Sequence, residues 1–485
     1  MKFIRNKHIH LFMGNPRLDC FSRKSHFRRA TYLLCAVLLA GCVATNQHGI
    51  KDQGKKTEPI PQVAASTVLS VEDMQEDLAY TVRILKEVHP RTYHGLSDEQ
   101  QVIIQSAYET ARTPMTAKEF YFVVNSVICS MNDGHTHLRP MQNEQNRFID
   151  VPLIWLHDGL YVSNDRGPFR QADRIVDLSG KGIETLFQEL RQVIPAENDH
   201  FRKLMAGSHI LREEYLDYLD VVHNDVVEIR VQRGRDELTI TTPLKPKAEP
   251  KLYDSKRPWV GYEINQELSL GVFHLDQCKN NETYRKKVES FFKEVSQLNL
   301  RNIAIDVRRN GGGSSQVIVE FLRYLDIGRY KWFGMDVRFS KPIKEMGVFR
   351  RSRGYISDRR PNIKRNQKTN ASHLLFSGSV YVLTSPKTFS SGNWFAVVVR
   401  DNKLGTVIGE PTGNAPTSYG DSPSFQMPKT GFKFTVSIKK WTRPDKNSDL
   451  DDSLYPDVLV YTTIEDIKQG RDPQLEKLKD MIRNN

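Results

Sequence analysis

Two adjacent serines stand where a nucleophile could act. Ser390 and Ser391 follow a predicted strand, Val380–Thr384, and begin a predicted helix. A hydroxyl on such a turn is exposed and lies near the free backbone amides of the helix N-terminus, so it could attack an acyl carbon. Serine is also a common N-cap residue, and a structural cap is the alternative interpretation.

A run of three glycines follows another predicted strand, Asn302–Val307. Gly311, Gly312 and Gly313 would leave their backbone amides unhindered, as an oxyanion or phosphate site requires. No Gly-Lys-Ser/Thr follows at phosphate-loop spacing, and the spaced glycines of a dinucleotide site are absent. The run therefore predicts an oxyanion-binding loop, with a tight turn as the alternative.

Two histidines form the third candidate group. The segment Asp133-Gly134-His135-Thr136-His137 follows a predicted helix. No further ligand with typical metal-site spacing accompanies the histidines, so we expect no metal and no cofactor. An imidazole titrates near neutral pH and suits a general base for a serine. A lone histidine is usually structural, so the residues alone leave the role of His135 open, and we interpret His137 as a supporting or structural residue.

The elements that would position these groups divide the chain into three parts. Capping pairs predict three helices in a domain over 67–145: Ser70 with Asp73, Ser97 with Gln100, and Thr116 with Glu119. Residues 146–248 read as a small α+β module with a hairpin after Val227. Residues 249–485 alternate strands and helices, which predicts an α/β domain around a layered sheet of mixed strand direction.

Together these segments resemble the tail-specific, or C-terminal processing, peptidases and their tricorn-core relatives. The likeness runs from about residue 73 to 482. It rests on four motifs: Asp133-Gly134-His135-Thr136, Asp306 to Gly313, Thr388 to Asn393, and Gly409-Glu410-Pro411-Thr412. It implies a ClpP/crotonase-type fold, a peptidase activity, Ser390 as nucleophile, and the amides of Gly312 and Ser391 as the oxyanion hole.

The sequence departs from the processing branch of that family at the base. The lysine that this branch carries soon after the serine is absent from Thr412 to Pro416, so His135 takes the role as in the tricorn-like branch. The serine that precedes the histidine in that branch is replaced by Gly134, and Asn393 replaces the family glutamate. The acid that supports the histidine could be Asp449, Asp451, Asp452 or Glu410.

The middle module takes the place of the family's PDZ domain. Its segment Ala172–Gly180 looks like the core of such a domain, which implies capture of an extended peptide by β-addition. A plain structural insert is the alternative.

The N-terminus has the pattern of an export signal. Residues 1–41 carry eight basic residues and one acidic residue, with an apolar run before Leu39-Ala40-Gly41-Cys42. The ending resembles the bacterial lipobox, so we expect residues 1–41 to be removed, Cys42 to be lipidated and residues 42–66 to act as a tether. A plain signal peptide with a chance cysteine is the alternative. This places the protein in the cell envelope, on a membrane facing the periplasm.

Composition limits the remaining possibilities. The chain has 485 residues, 39 % of them hydrophobic and 26 % charged, with five cysteines and a net charge of +12. These values exclude a polytopic membrane protein, bulk disorder and a disulfide scaffold. Cys129 and Cys278 could pair or stay free in the mature chain.

Much of the positive charge lies in two segments. Besides the leader, an insert at 338–368 holds eleven basic and two acidic residues. It could attract an acidic peptide, a terminal carboxylate or anionic lipid, or form a solvated loop. No nucleic-acid motif accompanies it.

Taken together, the motifs and the export signal lead us to expect a membrane-anchored serine peptidase; the alternatives are an inactive peptide-binding lipoprotein and a hydrolase of other esters or amides.

Overall fold

The computed structural model describes residues 60–141, 147–246, 257–358, 360, 362–448 and 451–484. The predicted signal peptide, Cys42 and most of the tether lie outside the described residues. Within the described part of the chain, no helix combines the length and apolar character needed to cross a bilayer.

The three N-terminal helices form where the capping pairs predict them. They span Val71–Val88, Asp98–Thr110 and Ala117–Cys129. Each cap side chain accepts a hydrogen bond from the backbone amide three residues on, which the helix itself leaves unpaired. The turn after the third helix carries His135.

The middle part of the chain is built on an antiparallel sheet. Its strands lie in the order Leu153–Leu156, Gly159–Val162, Arg174–Leu178, Val226–Arg233 and Asp236–Pro243, with Lys181–Gly182 beside the third. The predicted hairpin is confirmed, with Arg233 opposite Asp236. Between the third strand and the hairpin lie three helices, Ile183–Arg191, Asp199–His209 and Glu213–Tyr218. The likeness to a PDZ domain stays a prediction.

A six-stranded central sheet organises the C-terminal part. Its order is Val260–Asn265, Leu270–Leu275, Asn302–Asp306, Ser379–Thr384, Thr406–Gly409 and Val458–Leu459. The first pair is antiparallel and the others are parallel, so the predicted mixed α/β fold is confirmed. Asp306 lies opposite Leu383, so the glycine run and the serine turn leave the same edge of the sheet.

Helices cover both faces of the central sheet. Ile303 and Ile305 pack into one core together with the helices Glu282–Gln297, Gln316–Leu322 and Ser391–Asp401. Ala304 points the other way, into a smaller core beneath the C-terminal helix Pro473–Arg483. This alternation is what a strand buried on both faces requires.

The basic insert is folded in its described part. Gly334–Phe339 pairs with Gly354–Asp358 and with Lys439–Thr442, which in turn pairs with Ser418–Gly420. Arg338 donates a hydrogen bond to the backbone oxygen of His89 at 2.6 Å, so this charge joins the insert to the N-terminal helices. The remaining short elements are Val68–Leu69, Met115–Thr116, Arg147–Phe148, Lys245–Pro246, Arg329–Trp332, Lys341–Glu345, Asn362–Arg365, Ile464–Gln469 and the 3₁₀ turns Pro90–Thr92, Ser372–Leu374 and Lys446–Ser448.

One predicted strand has a different partner from the one expected. The pattern of residues in Phe432–Ile438 predicts a further strand of the α/β domain, but Lys433–Thr435 pairs with Ser424–Gln426 in a separate hairpin. Its apolar side chains pack into the core of the N-terminal helices. The prediction was wrong because alternation identifies a strand without identifying its neighbour.

Candidate active site

Ser390 stands on a strained turn between a central strand and the helix Ser391–Asp401. Its backbone has φ 53° and ψ −126°, a conformation that side-chain-bearing residues rarely adopt. The amide of Ser390 donates to Asn414 Oδ1 at 2.8 Å, which helps to hold the turn. The Ser390 side chain makes no capping hydrogen bond to the helix, so its hydroxyl is directed elsewhere.

That hydroxyl meets His135. The distance from His135 Nε2 to Ser390 Oγ is 3.0 Å, between residues 255 positions apart in sequence. The imidazole lies against Phe389, with ring centroids 4.7 Å apart. The structure thus brings together the two residues predicted as base and nucleophile.

Asp133 fixes the turn that carries His135. Its buried carboxylate accepts hydrogen bonds from the His135 amide at 2.9 Å, from Thr136 Oγ1 at 2.6 Å and from Ser437 Oγ at 2.6 Å, and contacts His89 Nε2 at 3.1 Å. Because this segment reaches both the N-terminal helices and Ser437, the His135 turn is held from two sides. The sequence motif contained Asp133 but did not indicate this role.

The charge of Asp133 sets the electrostatics of the pair. Burial disfavours its ionised form, but the interactions with His135 and His89 outweigh burial and hold the pKa of Asp133 well below the ordinary range. Burial would also lower the pKa of His135, but the neighbouring Asp133 carboxylate and the more distant Glu197 raise it above its ordinary value. The protonated form of the His135 imidazole is therefore stabilised.

Glu197 is the second carboxylate beside His135. It lies between two helices of the middle module and accepts a hydrogen bond from the Gly134 amide at 3.2 Å. Burial, reinforced by the charge of Asp133, raises the pKa of Glu197 to about 7. No motif surrounds Glu197 in the sequence, so sequence reasoning missed it.

The acids predicted to support His135 lie elsewhere. Asp451 pairs with Arg443 at 2.9 Å, and Glu410 accepts a hydrogen bond from the Thr462 amide at 2.9 Å. Asp452 accepts a hydrogen bond from the Tyr455 hydroxyl, and Asp449 lies outside the described residues. The carboxylates that the structure places beside His135 are Asp133 and Glu197.

The two backbone amides predicted to form an oxyanion hole differ in whether they are free to bind an anion. The Gly312 amide donates to Asn310 Oδ1 at 2.8 Å and is not free. The Ser391 amide has no partner in the described part of the chain, as predicted for an oxyanion donor. Gly313 takes the other place: its amide is also unpaired there, and its carbonyl accepts the Ser391 hydroxyl at 2.7 Å.

The direction of the Gly313 amide follows from its neighbours. Cys278 donates to the Gly312 carbonyl and accepts from the Ser314 amide, so these flanking bonds face Cys278. Amide and carbonyl groups alternate sides along an extended segment, which turns the Gly313 amide toward the serine turn. Cys278 itself is buried and free, as is Cys129.

The Arg308 of the second motif is a structural residue here. Its guanidinium binds Asp306 at 2.9 Å and also Asp472, the cap of the C-terminal helix. Burial opposes the charge on Asp306, but Arg308 and Arg257 outweigh it and lower its pKa to about 2. This cluster anchors the start of the glycine run to the rest of the domain.

Two further groups bear on the predictions for the histidines. Asp133, His135 and Glu197 each offer one possible metal-ligand atom within 4.8 Å of the others. Asp133 already accepts hydrogen bonds on both oxygens and His135 faces Ser390, so we interpret Asp133, His135 and Glu197 as an acid-base group and not as a metal site.

His137 contacts Thr435 Oγ1 at 3.1 Å through Nδ1, in keeping with a structural role.

Comparison with known proteins agrees with this arrangement. The model of peptidase family S41 matches residues 269–460, a stretch that contains the glycine run and Ser390. This stretch of the chain is similar to peptidase family S41. The predicted resemblance to the tail-specific peptidases is confirmed. His135 precedes the S41 stretch, and only the fold brings it to Ser390.

Solved structures extend the likeness over most of the chain. Mature CPAF complexed with lactacystin is 14 % identical, with a TM-score of 0.64, over 86 % of this chain and 99 % of that chain. Mature CPAF alone gives 14 % identity and a TM-score of 0.62, over 86 % and 98 %. At this identity the similarity shows a shared fold. No curated protein matches the chain.

Proposed function

We propose that the protein is a serine peptidase in which Ser390 is the nucleophile and His135 the general base. The observation that carries the proposal is the 3.0 Å contact between His135 Nε2 and Ser390 Oγ on a strained turn. A serine hydroxyl is a weak nucleophile until a base within hydrogen-bond reach takes its proton. His135 supplies that base in place of the lysine that the processing branch uses.

The reaction follows from the positions of these groups. Ser390 Oγ attacks the peptide carbonyl carbon while its proton passes to His135 Nε2, and the carbonyl oxygen becomes an oxyanion. The amides of Gly313 and Ser391 hold that oxyanion. His135 then gives the proton to the leaving amine, and water, activated by the same imidazole, hydrolyses the acyl-enzyme.

We assign the oxyanion donors by asking which backbone N–H groups near Ser390 have no other hydrogen-bond partner. A donor acts only if its N–H is free to turn toward the developing charge, and removal of one such donor costs about 10²- to 10³-fold in rate. The Gly312 amide is occupied by Asn310, so its contribution is to pack closely beside Ser390. Gly313, which the sequence did not single out, takes over the donor role.

Substrate and location remain as the sequence suggests them. We propose a peptide or protein substrate, which the middle sheet captures as an added strand, and a lipid anchor at Cys42 that holds the protein on a membrane of the cell envelope. An exposed edge strand, Asp236–Pro243, supports peptide capture because it pairs only with Val226–Arg233 among the described strands. The support for anchoring is the sequence pattern before Cys42.

The deciding experiment is covalent labelling with a fluorophosphonate, which reacts with activated serines whatever their natural substrate. We expect the wild-type protein to be labelled and the Ser390→Ala protein to be unlabelled, with the same thermal unfolding temperature. Ser352→Ala, which removes an exposed serine of the basic insert, is the matched control and should label like wild type.

Two results would refute parts of this proposal. Labelling that survives in Ser390→Ala would show that another residue is the nucleophile. A wild-type protein that is folded but unlabelled would favour an inactive binding protein on the same fold. If the labelled enzyme cleaves esters but no peptide of a peptide library, the proposed mechanism stands and the proposed substrate class is wrong.

A further inference from the structure

The loop that carries Glu197 is tied to all three parts of the chain. Asn125 of the third helix donates to the Val193 carbonyl at 2.7 Å. Arg202 donates to the Ala196 carbonyl at 2.6 Å and to Asn132 Oδ1 at 3.2 Å. Asn198 donates to the Thr412 carbonyl at 3.2 Å, on the segment after the nucleophile. A loop held in this way presents its side chain at a defined position.

Glu197 brings an unused oxygen to that position. One carboxylate oxygen accepts the Gly134 amide, while Oε1 is buried and has no hydrogen-bond partner among the described residues. His135 Nδ1 is also buried and unpartnered there. Two complementary buried polar atoms without partners, in residues that come within 4.8 Å of each other, are an uncommon combination.

The proposed reaction requires an acceptor for Nδ1. When Nε2 takes the Ser390 proton, the ring becomes an imidazolium whose Nδ1–H must be satisfied in a buried site. Neither carboxylate is within hydrogen-bond distance of Nδ1 in the structure, but Asp133 Oδ1, 3.7 Å away, already accepts the His135 amide, whereas Glu197 Oε1 has no partner among the described residues. The other predicted acids bind Arg443 and Thr462.

We propose that Glu197 is the positioning residue of this site: when His135 becomes charged, the free Oε1 of Glu197 closes on its Nδ1–H and so holds the ring with Nε2 toward Ser390. The proposal rests on the proposed function above. No bond to Glu197 forms or breaks, and the proton from Ser390 goes to Nε2 while the Nδ1 proton stays on the ring. Asp133 supplies a negative charge and holds the backbone of the His135 turn, and Glu197 supplies the acceptor for the Nδ1–H.

The test compares three substitutions by their fluorophosphonate labelling rates at Ser390. Glu197→Gln keeps an oxygen for the Gly134 amide but removes the charge, and we expect labelling to slow by about 10- to 100-fold, less than the ~10⁴-fold seen when the only acid of a triad is neutralised. Glu197→Asp keeps a carboxylate and should recover part of the rate. Glu184→Gln changes an exposed glutamate of the same module and should label like wild type.

The pH dependence of labelling separates positioning from a purely structural role. The negative charges that act on His135 come from Asp133 on its own turn, from Glu197 and from Asp421, and they raise its pKa. Because the pKa of Glu197 is about 7, its charge acts mainly at and above neutrality, where the midpoint of the wild-type profile is expected. Loss of that charge lowers the pKa of His135, and the acid limb of the rate profile moves to lower pH. A glutamate that only braces Gly134 would leave both the rate and the limb unchanged in Glu197→Gln.

The outcomes keep the two proposals apart. If wild type is labelled through Ser390 but Glu197→Gln labels at the same rate with the same profile, the role of Glu197 is refuted and the proposed function stands. If wild type is not labelled at Ser390, the proposed function itself fails. A lower unfolding temperature in Glu197→Gln with an unshifted acid limb would also overturn the positioning role.

Discussion

Gly312 lies so close to Ser390 that a methyl group on its Cα would come within 2.5 Å of the Ser390 Cβ. Gly312 also has φ +106°, a conformation strained for any side-chain-bearing residue. Ser390 thus packs directly against a backbone segment that has no side chain at Gly312, and this close packing fixes the position of the Ser390 hydroxyl.

We predict that Gly312→Ala displaces Ser390 and lowers the labelling rate by about 100-fold or more, since small misplacement of a reacting group costs about that much. Gly311→Ala is the matched control, because a Cβ there meets nothing within 4 Å. Labelling rates and thermal unfolding of both variants check the prediction. Equal effects of the two substitutions would contradict a specific contact at Gly312.

The two histidines of the motif should differ sharply. His135→Ala removes the base, and we expect the rate of peptide hydrolysis to fall by about 10³-fold or more, as for other serine hydrolases that lose their histidine. His137→Ala loses only the contact with Thr435 and should retain most activity with a modest loss of stability. Steady-state kinetics of the two purified variants measure the difference; a greater kinetic loss in His137→Ala would reverse the assignment.

Activity should fall on the acidic side of neutrality. His135 accepts a proton only when neutral, and the Asp133 carboxylate raises its pKa above the ordinary ~6.5, so the labelling rate should reach half its maximum above about pH 6.5. Asp133→Asn removes the charge and should shift this midpoint to lower pH. The measurement is the labelling rate constant across pH, with circular dichroism at each point; a midpoint well below pH 6 in wild type would contradict the assigned electrostatics.

The cluster around Asp306 should stabilise the fold in a defined pH range. Its pKa is about 2 in the folded protein against 3.8 ordinarily, so the stabilisation is fully present above about pH 4 and is lost as the pH falls toward about 2. We predict that Asp306→Asn lowers the free energy of unfolding at neutral pH by about 2 kcal/mol or more, since the buried Arg308 loses one of its two carboxylate partners.

Asp480→Asn provides the comparison for that measurement. Its ion pair with Arg483 is exposed, and such pairs contribute about 0–1 kcal/mol. Chemical denaturation of both variants at neutral pH gives the two values. Similar losses in the two proteins would argue against a special contribution of the buried cluster.

Lipidation at Cys42 predicts a membrane-bound protein. In cells that process lipoproteins, wild type should sediment with membranes and Cys42→Ser should appear in the soluble fraction. Cys129→Ser, which alters a buried free cysteine, is the control and should stay with the membranes. A wild-type protein that is soluble after gentle lysis would contradict the anchor.

Local patterns in the sequence were sufficient to predict most of the helices and strands. Capping side chains satisfy amides within three residues, so Ser97 and Thr116 predict their helices without reference to the rest of the fold. The pairing of His135 with Ser390 came from a family resemblance, since the two lie in different parts of the chain. Physical reasoning from spacing alone would not have joined them.

The residues that sequence reasoning missed act through long-range contacts. Glu197 lies in a loop with no repeated or spaced pattern, and only tertiary packing brings it to Gly134. Asn310 belongs to a recognised motif, but its hydrogen bond to the Gly312 amide depends on the side-chain conformation. The strand Lys433–Thr435 was identified as a strand and assigned to the wrong sheet for the same reason.

The hairpin that contains Lys433–Thr435, together with the residues just after it, helps to position His135. It follows Ser390 in the chain, yet Thr435 donates its amide to the His137 carbonyl at 2.9 Å, and Ser437 binds Asp133. The turn that carries His135 is therefore held in part by residues that follow Ser390 in the chain. A substitution that broke these contacts would displace His135 from Ser390 while leaving the serine and its own turn unaltered.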